Sequence, residues 1–315
     1  MSFPLEIPIL SLSDGMDGED RVYKTRMSTV REHLCCSDVS IHMTTFVERR
    51  PLSFAVGTLG FIVALFIATR YILGAVFPSL TLDGISLITN WIWVAFVIGL
   101  VAWLGWWGKI RLAAPVNRRA LVYLVPLFGF VALPFAFGIA IPDVSLTEGA
   151  TLSGWVALLV IVVGSALGAG LSEELLYRGV LLRALESKGR LFAALVTAAL
   201  FALSHVSQVI FGASVGDWLI GVVLMIPMAI GLAAVAFRLG SLWPLVVWHV
   251  AADITLPLVP ATIGAEGTTT FILAYLGLSV VVGLMGMWLL WQDRRAAQAG
   301  GEAEISPDAV ERPSG

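Results

Sequence analysis

Charge, cysteine, histidine and lysine are what this 315-residue sequence has least of. Only 13% of it is charged and 58% is hydrophobic, against about 25% and about 45–50% in a soluble domain. That balance excludes a soluble globular enzyme. The only two cysteines, Cys35 and Cys36, are adjacent, so they support neither a disulfide framework nor a thiolate metal site. Lysine occurs only at Lys24, Lys109 and Lys188, and the net charge is −3. No basic face exists for nucleic acid, and no nucleic-acid partner is expected. Short alternating strands are missing too, which excludes a transmembrane barrel.

What is present is a series of apolar runs, with a mean hydropathy of +0.91. A hydrocarbon core of about 30 Å takes about 20 helical residues to cross. Eight runs meet that length, at about 53–76, 85–107, 120–141, 153–171, 191–211, 217–237, 242–262 and 269–291. The fold class is therefore all-α, a polytopic transmembrane bundle of about eight spans. Residues 1–50 read as a polar tail, expected to be disordered, with Met43 an alternative start. Residues 51–292 form the membrane domain, and 293–315, rich in Ala, Gly, Glu and Pro, read as a disordered tail.

Loop charge orients the bundle. Arg49, Arg50, Lys109, Arg111, Arg118, Arg119, Arg183, Lys188, Arg190, Arg238, Arg294 and Arg295 fall on alternate connections, while the others carry Asp83, Asp143, Glu148, Asp217 and Glu266 and no Lys or Arg. The positive-inside rule then places both termini in the cytoplasm of a multi-pass protein of the cell membrane. Scarce Lys beside abundant Ala, Gly and Arg suggests a GC-rich genome and a prokaryotic plasma membrane.

An ionisable group at mid-bilayer costs at least about 2.5–3.5 kcal/mol, so each one asks for a partner or a use. The spans hold few of them: Arg70; Glu173, Glu174 and Arg178; His205; and His249 with Asp253. Arg70 reads best as structural, snorkelling to an interface. Glu174 and Arg178 are i and i+4 and can neutralise each other. Glu173 is turned about 100° away and left free for chemistry. An ion-paired cap on the cytoplasmic end of span four is the bland alternative. Phe201 and His205 lie one turn apart on span five, and the Asp253 carboxylate can accept from the His249 imidazole and fix its tautomer. The other two histidines, His33 and His42, lie in the tail.

A free carboxylate with two imidazoles suits general-base activation of water and stabilisation of an oxyanion, which is hydrolysis. No Gly-x-Ser-x-Gly elbow lies near these histidines, and no His-Glu-x-x-His occurs. No cofactor is expected. A divalent metal such as zinc on Glu173, His205 and His249 stays open, since two His and one Glu is a known zinc set.

Glu-Glu-x-x-x-Arg at 173–178, Phe-x-x-x-His at 201–205 and His-x-x-x-Asp at 249–253, in that order on separate spans, resemble the three motifs of the CPBP intramembrane proteases. That family takes in CAAX prenyl endopeptidases and bacteriocin-processing or immunity proteins, and the resemblance covers about residues 150–260. It implies that Glu173 and His205 activate water, that His249 and Asp253 stabilise the oxyanion, and that Glu174 and Arg178 support them, with Phe201 alongside. The commoner residue at 253 is asparagine. An ionised aspartate donates no hydrogen bond, so Asp253 must be protonated or must orient His249. The expected partners are the lipid bilayer and a membrane-anchored protein or peptide, cleaved in a cavity among spans four, five and seven that opens to the cytoplasm or sideways to lipid. A prenylated tail is one substrate option beside bacteriocin precursors and sorting-signal tails. Two other classes compete: a non-catalytic immunity or partner-binding protein, and a proton-coupled transporter, against which stands the lack of internal repeats. Oligomeric state is not legible.

Overall fold

The computed structural model describes residues 46–305. The expected polar tail, with Cys35, Cys36, His33, His42 and Met43, lies outside the described residues. Among those described, seven helices are long and apolar enough to cross a membrane, and a shorter apolar helix accompanies them. The protein is a helical bundle of the multi-pass membrane class.

We label the spans α1 (Pro51–Val76), α2 (Leu82–Leu104), α3 (Arg118–Phe137), α4 (Gly154–Lys188), α5 (Arg190–Ser204), α6 (Val215–Leu239), α7 (Trp243–Thr255) and α8 (Gly264–Ile305). Local chemistry sets several of these limits. Thr81 caps α2 by accepting from the Gly84 amide at 3.3 Å, and Gly105 ends it in the left-handed conformation at φ 65°. Ser214 caps α6 by accepting from the Asp217 amide at 3.0 Å, and Gly240 closes it at φ 70°. In α3, Pro126 and Pro134 each begin a new segment, so the span runs as 3-10, α and 3-10 pieces in turn. The only strands among the described residues, β1 (Val144–Thr147) and β2 (Ala150–Leu152), form an antiparallel hairpin before α4.

The core is centred on α6, which packs against α5 and α8 and is buried continuously from Met228 to Phe237. At one end of the bundle lie all the basic connections. The Leu242 amide donates to the Arg111 carbonyl at 3.3 Å and the Asn117 amide to that of Leu239 at 2.8 Å. Arg190 and Arg238 both grip Asp293, at 2.9 and 2.6 Å. Phe54, early in α1, meets Trp106 at 6.5 Å between ring centroids, which brings Arg49 and Arg50 to this end as well. At the opposite end the hairpin joins the α1–α2 connection, where the Glu148 amide donates to the Ser79 carbonyl at 2.9 Å. The Ala140 amide donates to the Leu258 carbonyl at 2.9 Å, and Phe211 lies 5.8 Å from Tyr71.

Two boundaries differ from those read off hydropathy. Span four does not end near 171 but continues as one helical run of 35 residues to Lys188. Hydropathy stopped at the glutamates because it counts their charge and cannot see it neutralised inside the bundle. The last helix runs to Ile305, past Asp293 where a disordered tail was expected to begin. Residues beyond 305 lie outside the described region.

Candidate active site

Glu173 and Glu174 sit at the middle of α4, so an ion-paired cap on the end of this span is ruled out by where the helix ends. Here the backbone turns from α to π: Glu174–Leu181 is π-helical, as is Ile161–Ala166. Such stretches are rare and gather at functional sites. Glu174 is wholly buried and Arg178 is 2% exposed. Arg178 Nη1 donates to Glu174 Oε1 at 3.0 Å, and the guanidinium lies 4.7 Å above the Phe201 ring. The pair keeps its expected spacing.

The same Oε1 of Glu174 lies 2.8 Å from His249 Nδ1. A carboxylate only accepts, so Nδ1 carries the proton and donates. Glu174, then, and not Asp253, orients His249. The i, i+4 rule points from Asp253 to the imidazole, yet Asp253 Oδ2 reaches only to 3.8 Å, on the Nε2 side, beyond hydrogen-bond length. Glu173 Oε2 lies 3.6 Å from the same Nε2. Nε2 of His249 therefore faces two carboxylates, both close and neither bonded to it.

α7 can come this near α4 because residue 170 is glycine. A Cβ there would fall 3.0 Å from Val250 Cγ2 and 3.2 Å from the Val250 amide nitrogen. Any larger side chain would push the helix bearing His249 away from the one bearing Glu174.

His205 follows directly on α5. Its Nδ1 lies 2.9 Å from the Phe201 carbonyl oxygen, again an acceptor only. The proton is on Nδ1, which leaves Nε2 as the basic nitrogen of the ring. Phe201 spaces this side chain from Tyr177, with ring centroids 5.1 Å from His205 and 5.0 Å from Tyr177.

Glu173 and His205 line one cavity of about 410 Å³. Its walls come from α1, α2, α4, α5 and the stretch 207–213 after α5, and not from α4, α5 and α7 as expected. His249, 8% exposed, stands behind Glu173. Glu173 is thus the one expected catalytic residue shared by the cavity and the His249 cluster. Sequence reasoning missed six further polar wall residues: Asn90, Ser172, Tyr177, Ser204, Ser207 and Gln208. Tyr177 lies inside the first motif and carried a signal in its place between Glu174 and Arg178. Ser204 lies inside the second motif in the same way, whereas Asn90, on another span, carried no signal. Arg70 also lines the cavity, donating to Ser86 Oγ at 3.1 Å with its guanidinium 4.5 Å over Phe211. No group of three His, Cys, Asp or Glu side chains among the described residues is arranged to hold a metal. Glu173, His205 and His249 do not form such a group.

A buried carboxylate–imidazole cluster behind an open glutamate, inside a helical bundle, offers the groups that hydrolysis needs. Residues 154–255 match the family model of the type II CAAX prenyl endopeptidases, Rce1-like, a stretch that runs from α4 through α7 and holds all three motifs. The segment is similar to the Rce1-like domain, in line with the CPBP resemblance, and that family is one of proteases. No curated protein and no solved structure matches the chain.

Proposed function

We propose that the protein is an intramembrane endopeptidase that hydrolyses a peptide bond of a membrane-associated protein or peptide with an activated water. The observation that carries this reading is Glu173: a carboxylate with 22% of its side chain exposed, lining the cavity with His205, and making no hydrogen bond to a protein group among the described residues. A glutamate serving only as glue between helices would be bonded, as Glu174 is.

Glu173, with His205 Nε2 beside the same space, accepts the proton of a water as its oxygen attacks the scissile carbonyl. The carbonyl becomes a tetrahedral oxyanion, and the held proton passes to the leaving amine as the C–N bond breaks. His249 stabilises the oxyanion. Because Nδ1–H is committed to Glu174, His249 donates from Nε2 only as the doubly protonated ring. Asp253, 3.8 Å away, acts through His249 and donates nothing to the substrate. No resident cofactor takes part in these steps.

Terminal-peptide mass spectrometry tests this on membranes from cells expressing the wild type, Glu173→Gln or His205→Ala. New termini present with the wild type and absent with both folded variants are expected. Identical termini in all three would overturn the reading.

A further inference from the structure

The basic loops lie at one end of the bundle, and the cavity runs from its middle toward the other. Twelve of the fourteen Lys and Arg residues between 46 and 305 belong to one end: Arg49, Arg50, Lys109, Arg111, Arg118, Arg119, Arg183, Lys188, Arg190, Arg238, Arg294 and Arg295. The other two, Arg70 and Arg178, lie within spans. Contacts among the basic connections hold them together: Arg111 with Leu242, Asn117 with Leu239, and Asp293 with both Arg190 and Arg238. At the opposite end the connections carry Asp83, Asp143, Glu148, Asp217 and Glu266 and no cation.

Most of the cavity wall lies toward that second end, the α4 residues Glu173 and Tyr177 near mid-helix forming its floor. α1 enters from the basic side at Pro51; of its wall residues Val63 is at mid-helix and Phe66 and Arg70 lie in the second half. α2 runs the other way, with Asn90 in its first half and Trp93 at its middle. His205 comes after the fifteen residues of Arg190–Ser204, about 22 Å along α5 from its basic end at 1.5 Å per residue. Past His205 the wall continues through Gln208 and Phe211 to Ala213, on the connection that leads into α6 away from every basic loop. Gln208 is exposed.

We propose that the cavity opens on the extracytoplasmic face, and that the substrate is a membrane-anchored polypeptide presenting its scissile segment from that side. The physical ground is the positive-inside rule: short loops rich in Lys and Arg stay cytoplasmic, and here that excess is twelve to none. A cytoplasmic tail would have to cross most of the hydrocarbon core before reaching Glu173 and His205. The substrate class is thus an exported or surface-facing anchored chain, which narrows the endopeptidase reading and rests on it.

The side of opening is tested without activity. In the full chain with Cys35→Ala and Cys36→Ala, single cysteines are placed at Gln208 (Gln208→Cys) and, in a second variant, at Lys188 (Lys188→Cys), an exposed position on a basic loop. A membrane-impermeant maleimide is applied to intact and to permeabilised cells. Gln208→Cys is expected to label in intact cells, and Lys188→Cys at least about tenfold more after permeabilisation. Labelling of Gln208→Cys only after permeabilisation, or not at all, overturns the proposal. Termini dependent on Glu173 are expected on extracytoplasmic segments, and termini confined to cytoplasmic tails would also overturn it. Outward labelling with no termini dependent on Glu173 would sink the endopeptidase reading while leaving the side of opening intact.

Discussion

Two consecutive glutamates divide the centre of α4 into regions with opposite physics. Around Glu174 everything is closed: the carboxylate is fully buried, bonded to Arg178 at 3.0 Å and to His249 at 2.8 Å, with Phe201 over the guanidinium. Around Glu173 the site is open: the side chain faces the 410 Å³ cavity, and its nearest ionisable partner, His249 Nε2, stands off at 3.6 Å. The lesson is that bonding, not residue type, separates support from chemistry. A buried charge must be matched or it unfolds the bundle, whereas a carboxylate that is to take a proton from water must keep its lone pairs free.

That contrast can be broken in a definite order. The largest expected effect is on turnover: Glu173→Gln should lower cleavage about 10²- to 10⁴-fold while its thermal unfolding in detergent stays within about 0.5 kcal/mol of the wild type. A variant that cleaves normally would erase the distinction between the two glutamates. Next comes Glu174→Leu, which strands Arg178 in the core and should cost about 3–5 kcal/mol of stability, read by the same melts. Adding Arg178→Met should recover most of that loss. Equal stability of the single variant and the wild type would show that the buried pair carries no structural weight. Gly170→Val, pushing α7 from α4, should cost about 1–3 kcal/mol through overpacking and lower cleavage further by moving His249. Unchanged melting and turnover would show that this close approach is not needed. The smallest effect belongs to Asp253→Asn: with no hydrogen bond to His249 to lose, turnover should change by less than about tenfold. A larger loss in steady-state cleavage would move Asp253 from the margin to the centre of the site.

Most of the architecture was legible in hydropathy, because a span in lipid must satisfy its own backbone and announces itself by its length. The eight runs read from sequence correspond to α1–α8, α7 being the short one. What local rules missed has particular causes. The i, i+4 spacing of His249 and Asp253 suggested an orienting bond within α7, but Glu174 on another helix takes Nδ1 at 2.8 Å. Spacing along one helix cannot rank a partner from the next. The π-helical turns of α4 were invisible because hydrophobic periodicity averages over several turns. The cavity walls from α1 and α2 had no signal, since Asn90 and Trp93 are ordinary residues until α4 packs beside them.

The sequence by itself determined that the chain is a multi-pass membrane bundle, which loops carry the positive charge, and that a few costly charges remain inside, because each of these follows from the price of moving polar groups into hydrocarbon. Only the tertiary structure decided which carboxylate is spent on His249 and which faces the cavity, and toward which end that cavity runs, because those depend on how close two helices approach and which atoms then lie within about 3 Å of one another.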